Sequence, residues 1–200
     1  MKDKCGENKT DFHCVFGTWP FKKTFDITAS GFQFCGEMFP LNTITRLRWG
    51  TEQNTGKIFR LLRYTASFGT ETREIVMHIK EKKLYETVTA GMWDAVGKRL
   101  LAVMSAGLKN GKSYKFGAFS VNDRGINVTK DENTKSYRWN ELKWAIVNEN
   151  LVFMPIEYKD RLVASAPLVS VDNAHILSIA LALFQKDRRD TTECLSDAIL

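Results

Sequence analysis

Histidine, cysteine and carboxylate side chains carry most enzymatic chemistry, so their spacing in this 200-residue chain comes first. A nucleophilic Ser, Thr or Cys needs a base within hydrogen-bond reach. The three histidines are His13, His78 and His175. His13 precedes Cys14, but consecutive residues of a strand point to opposite faces, so the pair forms no dyad. His78 falls inside the apolar strand-like stretch Glu74-Ile-Val-Met-His-Ile79, and His175 sits one turn into a C-terminal helix; both read as structural. Asp123, Glu132, Glu141 and Glu157 occupy turns or polar strand positions, where solvation is the default. The cysteines, Cys5, Cys14, Cys35 and Cys194, form no C-x-x-C pair and have no histidine at zinc-ligand spacing. Free thiols in a reducing compartment are the simplest account, with a Cys5–Cys14 disulfide as the alternative. The glycines of Gly107-Leu-Lys-Asn-Gly111 follow a helix instead of opening one, so they do not cradle a phosphate. No Walker-type or dinucleotide fingerprint is present. The expectation is therefore a non-enzymatic chain with no catalytic residue, no metal site and no cofactor.

Binding chemistry is better represented. Lys and Arg exceed Asp and Glu, 29 − 23 = +6, which favours anionic partners in general. Cations interleave with aromatics at Arg46, Arg48 and Trp49, then at Lys57, Phe59, Arg60, Arg63 and Tyr64. That pattern suits stacking on single-stranded nucleic acid, but a half-buried strand with aromatics inward and charges outward is the simpler account of it. Trp139 and Trp144 are five residues apart. On one unbroken strand they face opposite sides, which makes Trp144 a candidate contact residue; a bulge would turn both inward.

These residues must be positioned by regular elements. Residues 1–11 are polar and charged, read as a flexible leader, and lack the apolar run of a secretory signal. Thr24-Phe-Asp-Ile-Thr28, a turn at Ala-Ser-Gly, and Phe32-Gln-Phe34 make a strand–turn–strand signature. Leu41–Trp49 is a further strand, Thr51–Gly56 a polar turn, and Lys57–Tyr64 a strand that leads through Ser67–Thr70 to Glu74–Ile79. From 81 to 108 the period changes: Tyr85, Val88, Met92, Val96, Leu100 and Val103 share one helical face, which Lys109-Asn-Gly111 terminates. Shorter strands follow, and a turn at Asn148-Glu-Asn150. A second helix over 171–186 has apolar positions Ile176, Leu177, Ile179, Ala180, Leu183 and Phe184. Residues 189–200 read as a tail. The longest apolar run, Ile176–Phe184, falls far short of the ~18–20 residues of a membrane span.

The order strands, helix, strands, helix carries a local repeat. Phe25-Asp-Ile-Thr-Ala-Ser-Gly-Phe-Gln-Phe34 parallels Phe119-Ser-Val-Asn-Asp-Arg-Gly-Ile-Asn-Val128 with the glycine in register, and Leu41-Asn-Thr-Ile44 parallels Trp139-Asn-Glu-Leu142. Phe116–Ile126, Tyr137-Arg-Trp-Asn-Glu-Leu142 and Val171-Asp-Asn-Ala-His-Ile-Leu177 resemble the second half of uncharacterised bacterial proteins with tandem pleckstrin-homology-like domains. The resemblance covers residues 112–188 and, more loosely, 20–108. It implies an α+β fold of two antiparallel, strand-rich, partly open barrels, each closed by a C-terminal helix, over 12–110 and 111–188. Domains of this kind bind phosphoinositides, peptides or proteins. Their phosphoinositide pattern, a lysine followed by Lys/Arg-x-Arg on the first hairpin, is matched only in part: Arg46-Leu-Arg48-Trp49 has no lysine closer upstream than Lys22 and Lys23.

The sequence therefore reads as a cytoplasmic, non-catalytic binding module. Its expected partner is a protein or an anionic lipid surface, reached through Arg46, Arg48, Trp49, Lys57, Arg60, Arg63 and Trp144. The alternative is a nucleic-acid binder using residues 46–64.

Overall fold

The computed structural model describes residues 12–17, 22–55, 60–130, 132–157 and 162–197, with side chains described except at 53–55, 60–62 and 187–197. The chain divides into two compact units, Met1–Leu47 with Thr51–Lys98, and Arg48–Gly50 with Arg99–Leu200. Among the described residues the fold is strand-rich α+β, with four antiparallel sheets and two long helical segments, and the sheets are not closed into barrels. No described helix is long and apolar enough to cross a membrane.

The chain begins with a meander of β1 (Phe12–Phe16), β2 (Lys23–Ile27), β3 (Gly31–Phe34) and β4 (Glu37–Pro40). A 3-10 turn at Leu41–Thr43 leads to a second meander of β5 (Arg46–Thr55), β6 (Arg60–Gly69) and β7 (Glu74–Ile79). Alternation decides which side chains go inward: Phe25 and Ile27 are buried while Asp26 between them is not. Phe25, Phe32 and Phe39 converge on Phe68, with ring centroids 5.8, 5.1 and 5.2 Å from it.

Two sequence expectations fail in the second meander. Thr51–Thr55 continues β5 instead of turning, and Ser67–Gly69 belongs to β6, whose register with β7 runs from Tyr64↔Ile79 to Gly69↔Glu74. Ser67, Phe68 and Gly69 are buried and paired with β7, a burial that the small and polar residue types flanking Phe68 do not announce in sequence.

The first long helical segment comprises α1 (Lys82–Met92), a π-helical stretch at Trp93–Gly97 and α2 (Lys98–Lys109). α1 packs on β6 and β7, with Val88 and Met92 fully buried, as is Val96 in the π-helical stretch. A Cβ on Gly97 would lie 2.5 Å from the Trp93 ring, so glycine lets that ring lie against the helix. The π stretch changes the helical phase. Beyond it Met104 and Leu108 are buried, and Val103, expected on the apolar face, is exposed.

The second unit repeats the order. β8 (Tyr114–Phe116), β9 (Phe119–Val121), β10 (Gly125–Lys130) and β11 (Asn133–Arg138) form its first meander. A 3-10 turn at Trp139–Glu141 precedes the second, formed by β12 (Leu142–Val147), β13 (Asn150–Pro155) and β14 (Ala164–Pro167). Helix α3 spans Ala174–Asp197, running on through residues read as a tail; no glycine or proline after Ala174 interrupts it. Ile176, Leu177, Ala180, Leu181 and Phe184 face inward, whereas Ile179 and Leu183 are exposed.

The repeat extends to individual hydrogen bonds. Thr28 N–H donates to Gly31 O at 2.9 Å, and Asn122 N–H to Gly125 O at 3.0 Å. Gly31 N–H donates back to Thr28 Oγ1, and Gly125 N–H to Asn122 Oδ1. Gly31 pairs with Pro40 and Gly125 with Arg138, each the residue before its 3-10 turn.

Candidate functional site

The residues of the basic–aromatic stretch are divided between the two units. The Arg46 guanidinium donates through Nη2 to the carbonyls of Thr70 and Arg73, holding the β6–β7 turn of the first unit. Arg48 and Trp49 belong to the second unit. There Arg48 Nη1 lies 3.5 Å from both Ser170 O and Asp172 Oδ1. The Trp49 indole stacks on the His175 imidazole, with centroids 4.7 Å apart and planes at 15°. Arg63 is exposed at the surface of β6. Lys57 and the Arg60 side chain lie outside the described residues.

His175 is engaged both through its ring face and through its Nε2. Its Nε2 is 2.8 Å from Trp49 O; a carbonyl only accepts, so Nε2 bears the proton. Burial pushes the His175 pKa below its ordinary value, against smaller upward pulls from that hydrogen bond and from the Glu149 carboxylate. Glu149 sits in the β12–β13 turn beside Gly50, where an added Cβ would lie 3.2 Å from its Oε2 and 3.0 Å from Val169 Cβ. Glycine at 50 thus lets this strand segment approach the turn closely. The arrangement is a structural clasp.

Trp139 and Trp144 are separated by the 3-10 turn at Trp139–Glu141, so neither the unbroken strand nor the bulge foreseen from sequence occurs. Trp139 is buried and donates its Nε1–H to Asn122 O at 3.1 Å. Trp144 is half-buried on β12 opposite Phe153, which is fully buried. Directly paired residues share a sheet face, so Trp144 lies on the inner face, not the outer.

β12 is an edge strand, with β13 as its one ladder neighbour among the described residues. Asn148 and Glu149, with φ of 48° and 60°, make a two-residue turn that pairs Val147 with Asn150. Such a turn makes that first pair hydrogen-bonded, and the pattern then alternates. Val147, Ala145 and Lys143 therefore bond to β13, while Trp144 and Ile146 turn their backbone N–H and C=O groups away from β13. Ile146 and Val147 are 49% and 46% exposed. The sequence signal for this edge is the apolar run Ala145-Ile-Val147 ending at a polar turn.

The other reactive groups remain apart. His13 pairs with Asp26 across β1 and β2, while Cys14 points to the opposite, buried face. His78 Nδ1 is 3.3 Å from Thr65 Oγ1. Cys14 and Cys35 are free thiols, and burial raises the Cys14 pKa to about 11. Among the described residues no three His, Cys, Asp or Glu side chains converge on a metal position.

No protein-family model, curated protein or solved structure matches the chain.

Proposed function

We propose that this chain is a non-catalytic, two-unit binding module of pleckstrin-homology-like type, and that the edge of β12 receives an extended segment of a partner protein. The observation that carries the reading is the pair Trp144 and Ile146. Both direct backbone groups outward from an edge strand, and Ile146 adds exposed apolar surface beside them. An added strand gains main-chain hydrogen bonds from such an edge, and the alternate side chains select its sequence. Two meanders, a 3-10 turn and a terminal helix in each unit support the fold assignment. Against a nucleic-acid or anionic-membrane surface on residues 46–64, Arg46 and Arg48 are engaged with protein carbonyls, and Trp49 is stacked on His175.

The test selects peptides from a randomised library on the full chain and follows amide hydrogen exchange. The expected result is slowed exchange at Trp144 and Ile146 on peptide binding, with affinity reduced at least tenfold by Ile146→Pro. Proline there removes an outward donor and is tolerated at an edge. Peptides indifferent to Ile146→Pro, or binding confined to phosphatidylserine vesicles, overturn the reading.

A further inference from the structure

Leu41 and Trp139 hold the same station in the two units. Each follows the strand residue paired with the repeated glycine. Leu41 N–H donates to Ser30 O at 3.3 Å and Trp139 N–H to Arg124 O at 3.2 Å, and Ser30 and Arg124 each immediately precede that glycine. The two side chains differ in size, and the interior around them differs accordingly. In the second unit the Trp139 indole is 8% exposed. It lies 6.5 Å from the rings of both Phe153 and Phe184 and gives its N–H to Asn122 O.

In the first unit the smaller Leu41 borders a half-open pocket of about 410 Å3, walled by Phe12, Ile27, Ala90, Gly91 and Ala95. The helix wall is made of small residues where the second unit's helix supplies Phe184. A Cβ on Gly91 would come within 2.6 Å of Ile27 Cδ1, so glycine leaves room for that methyl on this wall. The polar side chains at the rim are engaged locally: Thr28 Oγ1 with Gly31, Thr87 Oγ1 with Lys83 O, and Asp94 with Lys98 at 2.7 Å. Thr28 also lines the pocket, and it holds the turn position of Asn122, whose carbonyl accepts the Trp139 indole N–H in the second unit. The pocket volume falls in the ~300–1,000 Å3 range of small-ligand sites.

We propose that this pocket binds a small planar aromatic molecule bearing a ring N–H, of the indole type. The second unit supplies the complement from its own sequence, and the first leaves the equivalent place open to a ligand. The site is independent of the β12 edge.

The test is titration of the full chain with free indole, read by calorimetry and by methyl NMR. The expected result is saturable binding that perturbs Ile27, Ala90 and Ala95, with naphthalene, which lacks the N–H donor, binding at least fivefold more weakly. Leu41→Trp fills the pocket from within and removes the binding at unchanged or higher Tm. If that variant does not fold, Ala90→Leu, at an exposed helix position suited to leucine, narrows the wall and weakens indole at least tenfold. Absence of saturable indole binding, affinity unchanged in the pocket-filling variants, or binding of tryptophan-containing peptides without free indole each overturns the proposal.

Discussion

Trp49 and His175 are joined twice, by a ring stack at 4.7 Å and by the His175 Nε2–H donated to the Trp49 carbonyl at 2.8 Å. The two residues are 126 positions apart in sequence. The Glu149 carboxylate, from the β12–β13 turn, also acts on the imidazole.

Burial holds the folded His175 pKa below the ordinary value of 6.5. The unfolded chain therefore takes up the proton first. The contribution of neutral His175 to stability is fully present above pH 6.5 and is lost as pH falls through that value towards the lower folded one. Urea unfolding between pH 8 and pH 5 is expected to show stability falling over this window. His175→Phe, which keeps an aromatic ring on Trp49, flattens that part of the profile. An unchanged slope in the variant assigns the dependence to other groups.

Gly31 and Gly125 are glycines for the same steric reason. A Cβ at Gly31 would run into the Phe39 carbonyl oxygen, and one at Gly125 into that of Tyr137. The neighbouring strand's backbone fills the space, and no flexible side chain can yield there. Gly31→Ala and Gly125→Ala are each expected to cost more than about 1 kcal/mol, the scale reached when an added methyl does not fit the native backbone. Equilibrium urea unfolding measures both, and a neutral alanine at either position contradicts the close approach.

Arg46 supports the β6–β7 turn through two carbonyls, so its removal acts on stability. Arg46→Ala is expected to lower it by about 1.5–3 kcal/mol, the range for hydrogen bonds from a charged donor. Retention of the folded variant on an immobilised polyanion should stay the same. A large drop in retention at unchanged stability would favour the reading of residues 46–64 as a nucleic-acid surface.

Much of the local order was legible. The glycine-centred repeat marked both hairpins because Gly31 and Gly125 answer to a short-range constraint, the next strand's carbonyl. The helical period over 81–108 was legible up to Val96, since buried positions recur with the turn of the helix. After the π stretch the phase moved, and nothing in the residue types of Trp93–Gly97 announces one extra residue per turn. The candidate site was less legible. Arg46, Arg48 and Trp49 look like a ligand surface in sequence, but carbonyls at Thr70 and Ser170 and a ring at His175 engage them.

By itself, the sequence determined the alternating strands, the turn glycines, the apolar helix faces and the twofold succession of elements, because all of these follow from periodicity and backbone sterics within a few residues. Tertiary structure decided which polar and aromatic groups are available. It placed Trp49 against His175, turned Trp144 to an inner face, and opened a pocket at Leu41 where Trp139 fills the matching place. Those outcomes depend on which distant side chains and carbonyls arrive beside a residue, and local spacing holds no record of that.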